Sequence, residues 1–442
     1  MNRELEGREE SESSGRLLVL VFLSISFGYL LWAESRHLQG DRGVLRGAVL
    51  FFSAGVFGFA SAVMTGRIAP VVRFCALFVL AVGALDLIVH SPGCSIFGLE
   101  PRFKNDFEIN LTPAQQMYGE GGSPYGIQEE FNLPNASISF PFPTYWVYWA
   151  CSGFGGFDPA TTGAIFTALN LFAAIVLIRA SRGLSGIGGD ESELIWFLTL
   201  ISPIWGTVLI GQTPVMAAAL ISAGWLTLRS EDFMHLTFGA LLVAFGILIK
   251  PNFAPLVVGP LLIGLLDRRH QKQFNLSLGI IAAAVGLALC AILIPGGVGL
   301  DTLGEFRDVA VPKALTKVEA HNNLSLVGFL HFLLPMPIHP KATGLFLVTI
   351  LTALGVVRRV DWKYWFLVPL MVSPITWGPY LSLALPVQFA LAKQSDAFIQ
   401  TLVILSAGLI GLDYTGFSTL GVLILLWLVI QSPQAEGPGK RW

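Results

Sequence analysis

The chain has 442 residues, of which 54% are apolar and 13% charged, with a formal net charge of −2. An ordinary soluble domain carries about 25% charged residues, so this composition argues against one and points to the bilayer as solvent. Lys and Arg are not gathered into any large basic field, which argues against a nucleic-acid partner.

The chain opens with MNRELEGREESESSGR, which holds five Glu and three Arg. It lacks the basic start and the small-residue cleavage site of a secretory signal, so the apolar run behind it, LLVLVFLSISFGYLLW, reads as a retained first helix. Crossing a bilayer takes roughly 20 apolar residues, and such runs recur along the chain. Spans are expected near 17–34, 47–66 and 71–91, then at 160–181, 193–209, 212–229, 235–249, 252–267 and 275–295. A last group is expected near 341–357, 364–380, 381–394, 397–413 and 416–431. The predicted architecture is an all-α polytopic membrane protein of about 12–14 transmembrane helices with two non-cytoplasmic loop regions bearing short surface helices.

Basic residues set the sidedness. With a cytoplasmic N-terminus, the cytoplasmic turns receive Arg67, Arg73, Arg179, Arg182, Arg229, the run DRRHQK, Arg358, Arg359, Lys363, Lys393, Lys440 and Arg441, as the positive-inside rule requires. The loop with Arg36, Arg42 and Arg46 runs against it. Residues 92–159 and 296–340 then fall outside the cytoplasm. The expected domains are 1–70, a cytoplasmic tail with two additional helices; 71–431, the main transmembrane body; and 432–442, a cytoplasmic tail. No repeat of fixed period and no inverted symmetry between halves stands out, which weakens a transporter reading.

Ionisable groups at a membrane edge are expensive and attract functional hypotheses. In KNDFEINLTPAQQMYGEGGSPYG, Asp106 and Glu108 follow the third span by about 15 residues. Partial desolvation would suit one of them to general-base work on a sugar hydroxyl, although from spacing alone two solvated loop acids are the better fit. Two carboxylates are too few to argue a metal site. Lys250 ends an apolar helix in FGILIKPNFAP, where its ammonium either binds phosphate or snorkels to the interface. Gln212, behind a glycine in LIGQTP, either binds sugar hydroxyls or caps a turn. Tyr145, Trp146, Tyr148 and Trp149 read as an interfacial aromatic belt rather than a sugar platform. Pro124 and Tyr125 read as a turn folding the loop back. Asp86 is expected to pair within the bundle, and Cys94 and Cys151 either pair with each other or stay free. No Ser-His-Asp order, P-loop, HExxH or CxxC motif stands out.

Four ordered blocks resemble the GT-C glycosyltransferases, most closely glycosyltransferase family 87, which includes polyprenyl-phosphate-mannose-dependent alpha-mannosyltransferases. They are the acidic loop followed by FPFPTYW; LIGQTPVMAAALISAGWLTLR; FGALLVAFGILIKPNFAPLVV; and HNNLSLVGFL paired with VSPITWGPYLSLALP. The likeness covers about residues 71–431. Two departures stand out: Asn323 and Leu324 precede Ser325 where the family often has Gln, and Gly378, Pro379 and Tyr380 stand where a histidine often follows, a role left to His321 if it is kept.

The resemblance implies a GT-C-like bundle in the plasma (inner) membrane. It implies transfer of a sugar from a polyprenyl-phosphate donor to a lipid or glycan acceptor on the non-cytoplasmic face. Asp106 would be the base, and Lys250, Arg102 and Lys104 would stabilise the departing phosphate. Glu108, Tyr125, Gln212, His321, Asn322, Asn323, Trp377 and Tyr380 would bind donor or acceptor. No cofactor is implied beyond the lipid-phosphate sugar, with metal dependence left open. The rival readings are a transporter or flippase of lipid-linked glycans and a noncatalytic relative of the fold.

Overall fold

The computed structural model describes residues 104–125, 139–187, 198–199, 203–266, 271–293, 299–315, 323–334, 339–358, 360–393, 397–411 and 416–432. The first three expected spans, together with Asp86, Cys75, Cys94, Arg102, His321 and Asn322, lie outside the described residues. Among the described residues every regular element is helical and there is no strand.

The acidic segment forms helix α1, Lys104–Gln115. Phe107, Leu111 and Ala114 recur at the spacing of one helical face and are buried, while Glu108 on the other side is exposed. The Phe107 ring meets Tyr148 at 5.9 Å and Phe166 at 5.4 Å, which fastens α1 to the bundle. A π-helical turn, Gln116–Glu120, follows and stops at Gly121 with φ 72°.

The aromatic run does not lie at the interface as a belt. Its Tyr145 and Tyr148 are buried, at 0% and 1% exposure, and only Trp146 of the four is well exposed, at 41%. The amphipathic look of FPFPTYWVYW hid two buried tyrosines, of which Tyr148 donates its hydroxyl to the Gly211 carbonyl. The run forms the turn Pro141–Tyr145 and helix α2, Trp146–Cys151.

Helix α3, Pro159–Ser185, is 27 residues long. Its start is written in the sequence: the Asp158 carboxylate accepts from the Ala160 and Thr161 amides at 2.9 and 3.0 Å, and Pro159 occupies the first helical position. The body continues with α4 Ile204–Ile210, α5 Pro214–Thr227, α6 Phe233–Ile249, α7 Pro255–Leu266 and α8 Gln271–Leu293. A second polar region holds α9 Leu300–Glu305 and α10 Val311–Leu315 around a π-helical turn, Phe306–Ala310. Then come α11 Leu326–Leu333, α12 Pro340–Arg358, α13 Trp362–Val372, α14 Leu385–Ala392, α15 Ala397–Gly411 and α16 Phe417–Gln431.

Two described helical segments, Pro159–Ser185 and Phe274–Ile292, are by themselves long and apolar enough to cross a membrane. The remaining apolar helices are shorter, 10–17 residues. At about 1.5 Å per residue, a helix of that length falls short of a hydrocarbon core of about 30 Å. The expected span 364–380 is also not one helix. It breaks after Val372, bends at Ser373 and Pro374, and resumes as a 3₁₀ turn, Gly378–Ala384, before α14. Pro374 explains the break, since the residue before a proline is pushed out of the helical region.

Helices α5 and α6 approach so closely that a Cβ on Gly224 would sit 2.7 Å from the Gly239 carbonyl oxygen, and one on Gly239 would sit 2.9 Å from that of Gly224. Small residues at such a contact let backbones pack directly. A Gly224→Ala protein should therefore lose about 1–3 kcal/mol of stability, because the new methyl meets backbone rather than a movable side chain. Thermal unfolding in detergent measures this, and an unchanged melting temperature would show that the helices can separate freely.

Two basic side chains bond helix-end carbonyls at one end of the bundle. The Arg229 guanidinium donates to the Gly183 and Leu184 carbonyls at 3.2 and 2.7 Å and lies 5.8 Å over the Trp362 ring. Lys393 Nζ donates to the Gly186 carbonyl at 2.8 Å. Helix α5 ends here and begins at the opposite end, as does α13 in reverse, and it is at that opposite end that the chain makes a cavity.

Candidate active site

The cavity measures about 220 Å³. Its walls come from α1 (Ile109, Asn110), from Ser139, Phe140 and Tyr148, from the α4–α5 corner (Gln212, Thr213), and from the end of α6 (Ile249 to Asn252). Phe306, Ala310, Val311 and Leu315 of the second polar region, Lys341 at the start of α12, and Pro374, Ile375, Trp377 and Tyr380 complete it.

Each wall is tied to the next by a specific bond. Helix α4 ends at Gly211, whose φ of 68° suits glycine and turns the chain into Gln212. The Tyr148 hydroxyl donates to the Gly211 carbonyl at 2.8 Å, and the Tyr148 ring stacks on Phe166 at 4.5 Å. Helix α6 ends at Lys250 because Pro251 follows; Thr144 Oγ1 donates to the Ile249 carbonyl at 2.9 Å, fixing the helix end. Asn252 Nδ2 donates to the Ile375 carbonyl at 2.9 Å, joining the lysine corner to the broken helix.

Asn323 holds that broken segment in shape. Fully buried, its Nδ2 donates to the Pro374 carbonyl at 2.7 Å, while its Oδ1 accepts from the Thr376 amide at 2.9 Å and from Ser325 Oγ at 3.1 Å. The structure therefore places Asn323 behind the cavity wall as a brace rather than in the lining. Tyr125 has a similar place: buried at 4% exposure, its hydroxyl donates to the Ser139 carbonyl at 2.9 Å. Burial pushes that hydroxyl far above the usual tyrosine range, helped by Tyr145, Glu305 and Tyr118, so it remains a donor. Ser123 bonds the Glu305 carboxylate, clasping the turn before Tyr125 to α9.

Lys250 is 9% exposed, and its Nζ lies 5.1 Å from the centre of the Tyr380 ring, which in turn sits 6.2 Å from the Trp377 ring. Burying an ammonium is costly unless something offsets its charge, and the aromatic face offsets part of it. Among the described residues Gln212 Oε1 and Trp377 Nε1 are buried without a hydrogen-bond partner.

Of the residues singled out from sequence, Gln212, Lys250, Trp377 and Tyr380 thus meet in one cavity. Glu108 is exposed and is not part of the lining. Asp106 and Lys104 occupy the first turn of α1. At about 100° per residue, position 106 falls between the rows of Ile109 and Asn110, the two α1 residues that line the cavity. Sequence reasoning missed Asn110, Ser139, Thr213, Asn252 and Lys341. Asn110 had a readable signal, standing four residues after Asp106; Lys341 had none. Among the described residues no three His, Cys, Asp or Glu side chains gather as a metal site requires.

The model of glycosyltransferase family 87 matches residues 147–373, more than half of the chain. The chain belongs to glycosyltransferase family 87. No curated protein and no solved structure gives a significant match. The matched region contains Tyr148, Gln212, Lys250 and Asn323 and stops just short of the Trp377–Tyr380 wall. Membership makes the protein a membrane glycosyltransferase.

In this family 87 glycosyltransferase Cys151 is a free thiol, and burial pushes its pKa up to about 11, so it is neutral and unreactive near neutral pH. The Asn323 brace gives a sharper test. Replacing it in an Asn323→Leu protein strands the Thr376 amide and the Pro374 carbonyl, at a cost of about 2–4 kcal/mol. The melting temperature should fall, and activity should fall with it because Trp377 follows directly. Wild-type melting would show that the segment holds its shape without the amide.

Proposed function

We propose that the protein is a multi-pass glycosyltransferase of the plasma (inner) membrane. It moves a sugar, mannose or another hexose or pentose, from a polyprenyl phosphate to a lipid or glycan acceptor on the non-cytoplasmic face. The observation that carries this reading is the Lys250 ammonium, 9% exposed, in the wall of the cavity. A compact ammonium suits a phosphate oxygen.

The chemistry is a single displacement. The acceptor oxygen bonds to the anomeric carbon as the bond from that carbon to the phosphate oxygen breaks. The acceptor proton passes to the Asp106 carboxylate, and the bonding pair leaves with polyprenyl phosphate, whose added charge faces Lys250. One displacement inverts the anomeric centre. Arg102, Lys104 and His321 are further candidates to share the phosphate charge. Glu108, exposed on the far side of α1, and Asn322, beside the brace, are candidates for acceptor contacts.

Two features support the membrane placement. Large apolar side chains point outward on several helices, among them Phe172 and Phe238 at 62% and 57% exposure and Leu345 and Phe346 at 69% and 64%, as on a lipid-facing surface. The cavity also lies at the end opposite Arg229 and Lys393, so the positive-inside rule turns it away from the cytoplasm.

Purified protein offered mannose, glucose or arabinose on a short polyprenyl phosphate, and in parallel the corresponding nucleotide sugars, tests the donor class. Turnover is expected with a lipid donor and not with the nucleotides. Turnover from nucleotide sugars alone would overturn the proposal.

A further inference from the structure

We infer that Lys341 is the entry contact of the lipid-linked donor: its ammonium meets the donor's phosphate at the rim of the cavity while the polyprenyl chain lies along the outward face of α12. This rests on the donor class proposed above. Lys341 occupies the first turn of α12 and belongs to the cavity wall, yet it is exposed, whereas Lys250 in the same wall is 9% exposed. The cavity thus has one cation open to the outside and another that a ligand reaches only by going in. A lysine at the end of an apolar helix ordinarily snorkels to the headgroups. Snorkelling accounts for the exposure of Lys341 but not for its place in the cavity wall.

Helix α12 supplies the rest of the contact. Leu345, Phe346, Ile350 and Val357 on it are 69%, 64%, 44% and 77% exposed. At about 100° per residue they fall on one half of the helix, with Lys341 at the edge of that half next to Leu345. The other half is packed. Thr343 Oγ1 lies 3.0 Å from Nε2 of the buried His331, and a Cβ on Gly344 would sit 3.0 Å from the Val372 carbonyl oxygen. Leu347 packs on the same small cluster as Leu315 and Trp377 of the cavity wall. The start of the helix is tied down as well: His339 Nδ1 accepts from the Lys341 amide at 3.2 Å, and the His339 carbonyl accepts from the Ala342 amide at 2.8 Å. An apolar face that starts at an ammonium on a cavity rim matches an amphiphile with an anionic group on a long hydrocarbon chain. A soluble sugar phosphate or a nucleotide has nothing to lay on that face.

The test follows association and dissociation of a polyprenyl-phosphate mannose probe on the full-length protein in detergent. Lys341→Gln should slow association about three- to tenfold and flatten its dependence on salt, with dissociation little changed, as a rim charge does. Lys341→Arg, which keeps the charge, should keep most of the association rate. An unchanged association rate in Lys341→Gln, or a loss carried by dissociation alone, would overturn the entry role. The chain's path is read on unaltered protein: the same probe with a diazirine in its first isoprene units should label α12 between residues 342 and 350, and unlabelled donor should suppress the labelling. Labelling confined to other helices, or labelling of α12 that excess donor does not suppress, would show that ordinary lipid covers this face and would overturn the route. Failure of wild type to bind the probe at all would instead overturn the donor class, and the entry contact with it.

Discussion

An Asp106→Asn protein should fold and insert as wild type does, yet transfer sugar about 10²–10⁴-fold more slowly, the usual contribution of a positioned general base. The expectation rests on the helix that carries it. Ile109 and Asn110 line the cavity, and residue 106 lies one turn earlier between their rows, whereas Glu108 is exposed on the other side. A Glu108→Gln protein should therefore lose much less, and the ratio of the two defects separates a base from a general need for acidity in the loop. The comparison is read as kcat at saturating donor, with circular dichroism and melting as fold controls. Equal, small defects in both would leave α1 as a structural lid with no part in proton transfer.

A Lys250→Met protein should lose about 10²–10³-fold in kcat, because the leaving phosphate would build up charge with no fixed cation beside it. The same change puts an apolar chain of similar length in place of a 9% exposed ammonium, so the packing space stays filled. Loss of activity with the fold intact is the signature of a charge kept for chemistry. If Lys250 served only to pack against Tyr380, methionine would fill the same space and activity would survive. Lys250→Arg should recover only part of the rate, because a planar guanidinium needs a different pocket from a compact ammonium.

How much of this was legible in the sequence differs from residue to residue. Lys250 could be read directly, since a charged residue between an apolar run and a proline marks both a helix end and a cost that needs explaining. Gln212 was legible for a related reason, a polar amide behind a turn-forming glycine. Trp377 and Tyr380 entered only through the family resemblance; nothing in local pattern separates them from ordinary interfacial aromatics.

Other features depend on tertiary contacts that no local pattern encodes. The Ser139–Asn110 bond of 3.0 Å joins residues 29 apart, and Lys341 reaches the cavity only because α12 begins there. Tyr148 was misread as part of a belt because a short aromatic run has the same composition whether it faces lipid or supports a turn. The break at Ser373 was hidden by the unbroken hydropathy of LVPLMVSPITWGPYLSLALP, although Pro374 carried the stop signal. Asn323 looked like a binding residue and is placed as a brace, since hydrogen-bonding capacity alone does not say which partner is nearest.

The most direct test follows both halves of a doubly labelled polyprenyl-phosphate sugar through the purified protein in liposomes with a membrane acceptor. The account predicts one polyprenyl phosphate released for each glycosidic bond formed, with the anomeric configuration inverted. Passage of the intact sugar lipid across the bilayer with no new bond, or a product of retained configuration, would contradict it.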